Sequence, residues 1–75
     1  MERYTDRDRL LELIADVDRR KRAARKIPVI TLRIPAKMTL GWSDDRIDRV
    51  AAQLQESGDI TIGRTIRDTY YKLNH

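Results

Sequence analysis

The side chains in this sequence that are best suited to chemistry are cations that can bind phosphate. Arg19-Arg20-Lys21-Arg22 is an unbroken basic run, and Arg25 and Lys26 follow it closely. Guanidinium and ammonium groups bind phosphate oxygens through charge-assisted hydrogen bonds. Cations at the end of a helix also complement the negative end of its dipole, so a solvated helix end is the alternative interpretation. Six cations in eight residues exceed what a helix end needs, which favours contact with phosphate or another acidic partner.

Side chains for covalent or metal chemistry are scarce. The sequence has no cysteine, and its one histidine is His75. Disulfides, cysteine-based zinc sites, thiol catalysis and a histidine-based catalytic triad are therefore excluded. Asp44, Asp45 and Asp48 lie at a predicted helix start, where carboxylates complement the positive end of the dipole. The sequence predicts no enzyme, no metal site and no cofactor.

Length and charge limit the remaining possibilities. The 75 residues are predicted to form one domain, residues 1–75, with a core too thin for a small-molecule substrate cavity. The net charge is +4, and residues 1–40 carry eleven basic against six acidic side chains, so a basic partner surface is expected toward the N-terminal half. Without cysteine or an apolar run of about 20 residues, the sequence predicts a cytoplasmic protein with no membrane partner.

The first element is predicted to be a helix from Asp6 to Arg25. Thr5 and Asp8 form a capping box, in which each side chain binds the backbone N–H of the other residue. Pro28 is expected to end the helix, since it disfavours helical backbone at the residue before it. The spacing i, i+3, i+4, i+7 predicts a buried stripe made of Leu10, Leu13, Ile14 and Val17.

The segment between this helix and Gly41 has two interpretations. In one, residues 28–32 form a strand and Thr31 caps a helix that runs to Leu40, with Pro35 in or near its first turn. In the other, a strand spans Val29 to Ile34 and the helix starts at Pro35, the favoured first helical position. Both interpretations place Met38 and Leu40 in the core.

The second half predicts a helix followed by a hairpin. Gly41 breaks the preceding element, Trp42 is predicted to be buried, and Ser43 caps a helix over residues 44–57 that ends before Gly58. Residues 60–62 and 69–73 are rich in β-formers and predict two antiparallel strands, joined by a loop over residues 63–68. Tyr70 and Tyr71 alternate, so one is expected to face inward and the other outward. This hairpin must pack on the helices or pair with the Val29 strand.

This order of elements resembles the winged helix-turn-helix superfamily, across essentially the whole chain. Leu40-Gly41-Trp42-Ser43 resembles the turn between the second and third helices, and residues 46–58 resemble the recognition helix with its glycine stop. Residues 59–62, 63–68 and 69–73 resemble the first wing strand, the wing tip and the second wing strand. The resemblance implies an α+β fold of three helices with a C-terminal hairpin wing, and a short strand after the first helix.

The resemblance also implies double-stranded DNA binding, with the third helix in the major groove and the wing on the flanking backbone or minor groove. Such a protein is expected to be a transcriptional regulator or a mobile-element accessory protein, with sequence-selective or architectural binding. Asp44, Asp45 and Asp48 depart from this pattern, because acids placed against phosphate cost affinity. The nucleic-acid contacts implied for the third helix, the wing, the second helix and the basic end of the first helix are Ser43, Arg46, Arg49, Gln53, Arg64, Arg67, Lys37, Thr39, Arg19, Arg20, Lys21 and Arg22.

Three alternatives remain at this point. A ribbon-helix-helix dimer would use residues 30–35 as its strand and place residues 66–70 on its second helix. A protein-interaction module of the same winged fold would account for the acidic third helix. An RNA-binding domain would act through the basic end of the first helix. A homodimer, through the first helix or the Val29 strand, also stays open.

Overall fold

The computed structural model describes residues 4–75, so the first three residues of the predicted domain 1–75 lie outside the described residues. Within residues 4–75 the chain forms three helices and one three-stranded antiparallel sheet, which confirms the predicted α+β class. β3 is the central strand, with β1 and β2 on either side. The elements in chain order are α1 (Asp6–Ala23), β1 (Thr31–Leu32), α2 (Arg33–Leu40), α3 (Asp44–Glu56), β2 (Ile60–Arg64) and β3 (Thr69–Leu73).

Helix α1 begins as predicted and ends earlier than predicted. The Asp8 carboxylate accepts a hydrogen bond from the Thr5 backbone N–H at 3.0 Å, and the Thr5 hydroxyl accepts one from the Asp8 N–H at 3.3 Å. The predicted end at Arg25 is wrong, because Arg25 adopts left-handed backbone with φ 55°. The Lys26 N–H then donates to the Lys21 carbonyl at 2.8 Å, which closes the helix in a Schellman arrangement.

Neither interpretation of residues 28–40 is correct in full. The strand is only Thr31–Leu32, Thr31 is buried in it rather than capping a helix, and α2 starts at Arg33. Pro35 lies in the first turn of α2, where no helical N–H is required of it. Leu32 at the N-cap has no side-chain hydrogen bond. The Asp68 carboxylate takes over this role, because it accepts a hydrogen bond from the Ile34 N–H at 2.9 Å.

The connection from α2 to α3 follows the prediction. Gly41 has φ 69°, which suits glycine, and its N–H donates to the Lys37 carbonyl at 2.9 Å. Trp42 is buried in the core. The Ser43 hydroxyl accepts a hydrogen bond from the Arg46 N–H at 3.2 Å and so caps α3. The helix ends at Glu56, one residue before the predicted end, and Gly58 follows with φ 85°.

The hairpin is longer and its loop shorter than predicted. β2 continues through Gly63 and Arg64, which pair with Tyr70 and Thr69. The ring of Tyr70 covers Gly63 so closely that a Cβ there would overlap it, which explains the glycine. β3 also pairs with β1, as Thr31 opposite Tyr71. The ribbon-helix-helix alternative is therefore wrong, since residues 69–73 form the central strand of a sheet and residues 66–68 form its turn.

The core lies between the helices and one face of the sheet. Tyr71 is 1% exposed and faces inward, whereas Tyr70 is half-buried on the opposite face, as predicted. Leu13, Val17 and Leu40 are partly buried. Met38 is 74% exposed, so its predicted place in the core is wrong. The fully or nearly fully buried side chains of the core are Leu10, Ile14, Ala36, Trp42, Ile47, Val50, Ala51, Leu54, Ile60 and Tyr71.

Candidate nucleic-acid interface

The outward face of α3 carries little positive charge. The inward face is formed by Ile47, Val50, Ala51 and Leu54, all buried. Arg49 points the other way and is exposed. Its neighbours on that face, at i−4, i+3 and i+7, are Asp45, Ala52 and Glu56. One cation between two carboxylates gives this face a net charge of −1, which does not favour phosphate.

Arg46, predicted to contact bases, is held within the protein. Its Nε and one terminal nitrogen donate to the two Asp6 carboxylate oxygens at 3.0 and 2.7 Å. Its guanidinium also lies 4.6 Å from the centre of the Trp42 ring, a cation–π contact. Hydrogen bonds from Arg46 lower the pKa of Asp6 below its usual value. Arg46 therefore joins the start of α3 to the start of α1.

Replacing Arg46 by alanine is expected to lower stability without changing nucleic-acid sequence preference, because the lost contacts are intramolecular. Since the pKa of Asp6 is lowered in the folded state, the ion pair stabilises the fold above the unfolded pKa of about 3.9 and this contribution is lost at lower pH. Urea denaturation at neutral pH and near pH 3 checks this. The midpoints of wild type and Arg46→Ala should differ more at neutral pH than in acid, where protonation of Asp6 removes the ion pair and the contact with Trp42 remains. Equal midpoints at neutral pH would contradict the structural role.

The acids at the start of α3 are paired with cations of α2. Arg33 donates to Asp48 at 2.7 and 3.1 Å and to Asp44 at 3.2 Å, and Lys37 donates to Asp44 at 2.7 Å. A hydrogen bond from Lys37 lowers the pKa of Asp44, and hydrogen bonds to Asp48 raise the pKa of Arg33. Two of the three acids that oppose phosphate binding are thus neutralised internally. The same pairing engages Lys37, which was predicted to contact the DNA backbone.

The remaining candidates on α2 and α3 occupy separate positions. Ser43 is engaged as the cap of α3. Thr39 is exposed on α2. Arg49 and Gln53 line a groove between α3 and the first turn of α1, where Asp6 and Asp8 are also present. Arg49 forms no salt bridge among residues 4–75, so it is the α3 cation most available to a partner.

The turn between β2 and β3, called the wing tip below after its predicted role, is short and hydrogen-bonded. The Thr65 hydroxyl accepts hydrogen bonds from the backbone N–H groups of Arg67 and Asp68 at 3.2 and 3.0 Å. The Thr65 N–H donates to the Asp68 carbonyl at 2.8 Å. Since the Asp68 carboxylate binds the start of α2, the turn is held on the body of the domain. Arg64, at the end of β2, and Arg67, within the turn, are both exposed.

The basic end of α1 contains two kinds of cation. Asp16 pairs with Arg19 and Arg20, and Asp18 pairs with Arg22 at 2.8 Å. Asp18 is buried, which by itself raises its pKa, but hydrogen bonds from Arg22 and His75 lower the value overall. Lys21, Arg25 and Lys26 form no salt bridge within the described part of the chain. They are the cations of this segment that remain uncompensated.

The fold brings the end of α1 next to the wing. Lys21 and Arg67 are 46 positions apart in the chain, yet they line the same surface groove. Lys21 also lines a neighbouring depression with Arg20 and Lys26. The two basic segments predicted separately thus form one surface. We call it the α1–wing surface: Lys21, Lys26 and Arg67 line its two depressions, and the exposed Arg25 and Arg64 lie close to them in the chain.

Several residues that shape these surfaces carry no local sequence signal. Arg33 pairs with acids 11 and 15 positions away, Arg46 with an acid 40 positions away, and Asp68 with an N–H 34 positions away. No spacing rule for helices or strands relates residues so far apart. Ile66, in the turn between β2 and β3, differs from these residues. An aliphatic side chain is unusual in a loop, so the sequence alone could have marked it as a residue of interest.

Comparison with protein-family models, curated proteins and solved structures finds no match to this chain. In the part of the chain that the structure describes, no helix is both long and apolar enough to cross a bilayer. The same residues contain no group of three or more histidine, cysteine or acidic side chains placed to hold a metal ion.

Proposed function

We propose that this chain is a winged helix-turn-helix domain that binds duplex DNA, mainly through phosphate contacts of the α1–wing surface. The order α1-β1-α2-α3-β2-β3 supports this assignment, as does the pairing of β1 with β3 beside a C-terminal hairpin. The tight turn at Gly41 between α2 and α3 is a further feature of this architecture.

The single observation that carries the proposal is that Lys21 and Arg67 line the same surface groove. It brings together Lys21, Lys26 and Arg67, which form no salt bridge among residues 4–75, on two depressions that share Lys21. Duplex DNA presents phosphates on both sides of each groove, so a spread of uncompensated cations gives affinity by releasing counterions. The outward face of α3 has a net charge of −1, so Arg49 and Gln53 contribute less than the wing. We propose that such binding serves the regulation of transcription or a mobile-element accessory role.

The test is the salt dependence of binding to a fluorescently labelled random-sequence duplex, measured by fluorescence anisotropy. The logarithm of the affinity is expected to fall linearly with the logarithm of salt concentration. Arg64→Ala and Arg67→Ala should each weaken binding to all sequences and reduce the slope by about 1. Lys37→Ala is the matched control, since it removes one positive charge that already pairs with Asp44.

Three outcomes would contradict the proposal. Binding without salt dependence would exclude phosphate as the principal contact. A slope that Lys37→Ala reduces as much as Arg67→Ala does would place the interface on α2 instead. Duplex RNA of the same sequence that competes as well as DNA would indicate an RNA-binding domain, because A-form and B-form duplexes differ in groove shape.

A further inference from the structure

The wing tip and the segment before α2 expose an unusual amount of aliphatic surface. Ile66 is 105% exposed, as fully as in an extended chain, and Ile27 is 88% exposed. Leu32 is also exposed, although it is in a strand of the sheet. Leaving aliphatic side chains in water is unfavourable, because the apolar surface gains free energy when it is buried. Clustered exposed aliphatic side chains mark interaction sites more often than scattered ones do.

Two of these side chains, Leu32 and Ile66, line the same shallow groove. Pro28, Ile30 and Leu32 line one side, and Thr65 and Ile66 of the wing tip line the other. Two cations, Lys21 and Arg67, complete the lining. Neither forms a salt bridge among the residues that the structure describes. The groove therefore has an aliphatic lining and an uncompensated positive charge at its rim.

We propose that this groove binds a peptide segment of another protein that combines aliphatic and acidic side chains. Aliphatic side chains of the segment pack between Leu32 and Ile66, and its carboxylates pair with Lys21 and Arg67. Charge complementarity selects the acidic partner, because a basic segment would meet the two cations of the rim. Guanidinium binds a carboxylate through two parallel hydrogen bonds, which adds geometric specificity at Arg67.

The aliphatic lining of this groove suits a peptide, whereas the two cations at its rim can pair with either carboxylate or phosphate, so a peptide and a duplex would compete for Lys21 and Arg67. Phosphates of a duplex can use the cations of the rim, but they gain nothing from Pro28, Ile30 and Leu32. A lone aliphatic residue at the tip can wedge between base pairs, yet such a wedge needs no apolar lining behind it. Side chains of an aliphatic peptide use the lining and the tip together. The lining is thus the observation that separates the two classes of partner.

The groove is also held open before any partner arrives. The Thr65 hydroxyl fixes the turn through two backbone N–H groups, and Asp68 ties the turn to α2. Lys21 donates a long hydrogen bond of 3.5 Å to the Pro28 carbonyl on the other wall. A preformed site loses less conformational entropy on binding than a disordered one. Both walls of the groove, the turn at Thr65 and Ile66 and the segment from Pro28 to Leu32, are thus held by hydrogen bonds in the free protein.

The test uses a synthetic, fluorescein-labelled peptide that alternates glutamate with leucine, without nucleic acid present. Fluorescence anisotropy should show saturable binding that weakens with salt. Ile66→Ser and Leu32→Ser should each weaken it about tenfold, since each removes one buried aliphatic contact. Ile66 is fully exposed in the free protein, so Ile66→Ser does not endanger the fold. Met38→Ser is the matched control, because Met38 is an exposed aliphatic residue that does not line the groove.

Two further peptides make the test specific. A peptide that alternates lysine with leucine should not bind, and one that alternates glutamate with serine should bind at least about tenfold more weakly. Equal binding of the lysine peptide, or an equal loss in Met38→Ser and Ile66→Ser, would overturn the proposal. A different result would assign Ile66 to DNA. If Ile66→Ser leaves peptide binding intact but abolishes the bending of a bound DNA duplex, Ile66 acts as a wedge between base pairs and the proposal is wrong.

Discussion

Truncating Ile47 to alanine is expected to lower the free energy of unfolding by about 2–5 kcal/mol. Ile47 is 0% exposed and lies on the inward face of α3, among the side chains that join the helices to the sheet. A folded domain has about 0.05–0.15 kcal/mol of stability per residue, or about 4–11 kcal/mol for this chain. Loss of one large buried side chain therefore removes a large share of the total, and urea denaturation followed by circular dichroism measures it.

Met38→Ala is the matched control for this prediction. Met38 was expected in the core from the sequence, but in the structure it is an exposed residue of α2. Its truncation is expected to change stability by no more than about 0.5 kcal/mol, as for other surface substitutions. A loss of more than about 2 kcal/mol in Met38→Ala would contradict the observed orientation of α2. A negligible loss in Ile47→Ala would contradict the observed packing of α3.

Reversing two charges at the end of α1 is expected to weaken duplex binding about a hundredfold. Lys21→Glu/Lys26→Glu replaces two cations of the α1–wing surface by acids. The change removes phosphate contacts, and the new carboxylates repel the phosphates of a bound duplex. A hundredfold change corresponds to about 2.8 kcal/mol, which is about 0.7 kcal/mol for each unit of charge. Anisotropy of a labelled duplex at fixed, low salt measures the loss, and circular dichroism checks that the variant is folded.

Arg19→Glu/Arg20→Glu makes the same change in net charge near the same end of α1. Both arginines already pair with Asp16, so part of their charge is compensated in the free protein. We expect this control to weaken binding less, by about tenfold. If the two double variants weaken binding equally, only net charge matters and the α1–wing surface is not the binding surface. If neither weakens binding, α1 lies away from the partner.

Ile47→Ala and Lys21→Glu/Lys26→Glu change different parts of the molecule, so either expected result can be wrong without the other. Loss of Ile47 acts on packing within the domain, whereas Lys21 and Lys26 lie on its surface. A variant at the surface that keeps its fold and loses binding locates the interface. A large loss of stability in a core variant gives no information on the interface, but it supports the packing of α3 against the rest of the domain.

Signals that act within a few residues were predictable. The capping box at Thr5 and Asp8, the turn at Gly41 and the glycine stop at Gly58 each depend on hydrogen bonds between residues at most five apart. Such contacts form wherever the local sequence allows them, largely independent of the rest of the fold. The amphipathic spacing in α1 and α3 belongs to the same class, because it follows from helical geometry alone.

Errors arose where a tertiary contact replaced a local one. The start of α2 was missed because its cap is Asp68, which is far along the chain, rather than a neighbouring side chain. The hairpin loop was predicted too long because Gly63 was taken as a turn residue, whereas it lies in β2 beneath the ring of Tyr70. The end of α1 was predicted at Arg25 because of Pro28, whereas the helix already ends at Ala23 and Arg25 adopts left-handed backbone. In each case the residue that determines the structure either lies far away in the chain or is compatible with more than one local conformation.

The sequence by itself determined the α+β class, the caps of α1 and α3, the amphipathic pattern of these two helices and the supply of cations. Tertiary structure decided which cations are free, because Arg46 and Lys37 meet acids while Lys21 and Arg67 meet none among residues 4–75. It also decided that the basic end of α1 and the wing form one surface. The physical reason is that the interaction of two charges depends on their separation in space and on the solvent between them. Distance along the chain determines neither.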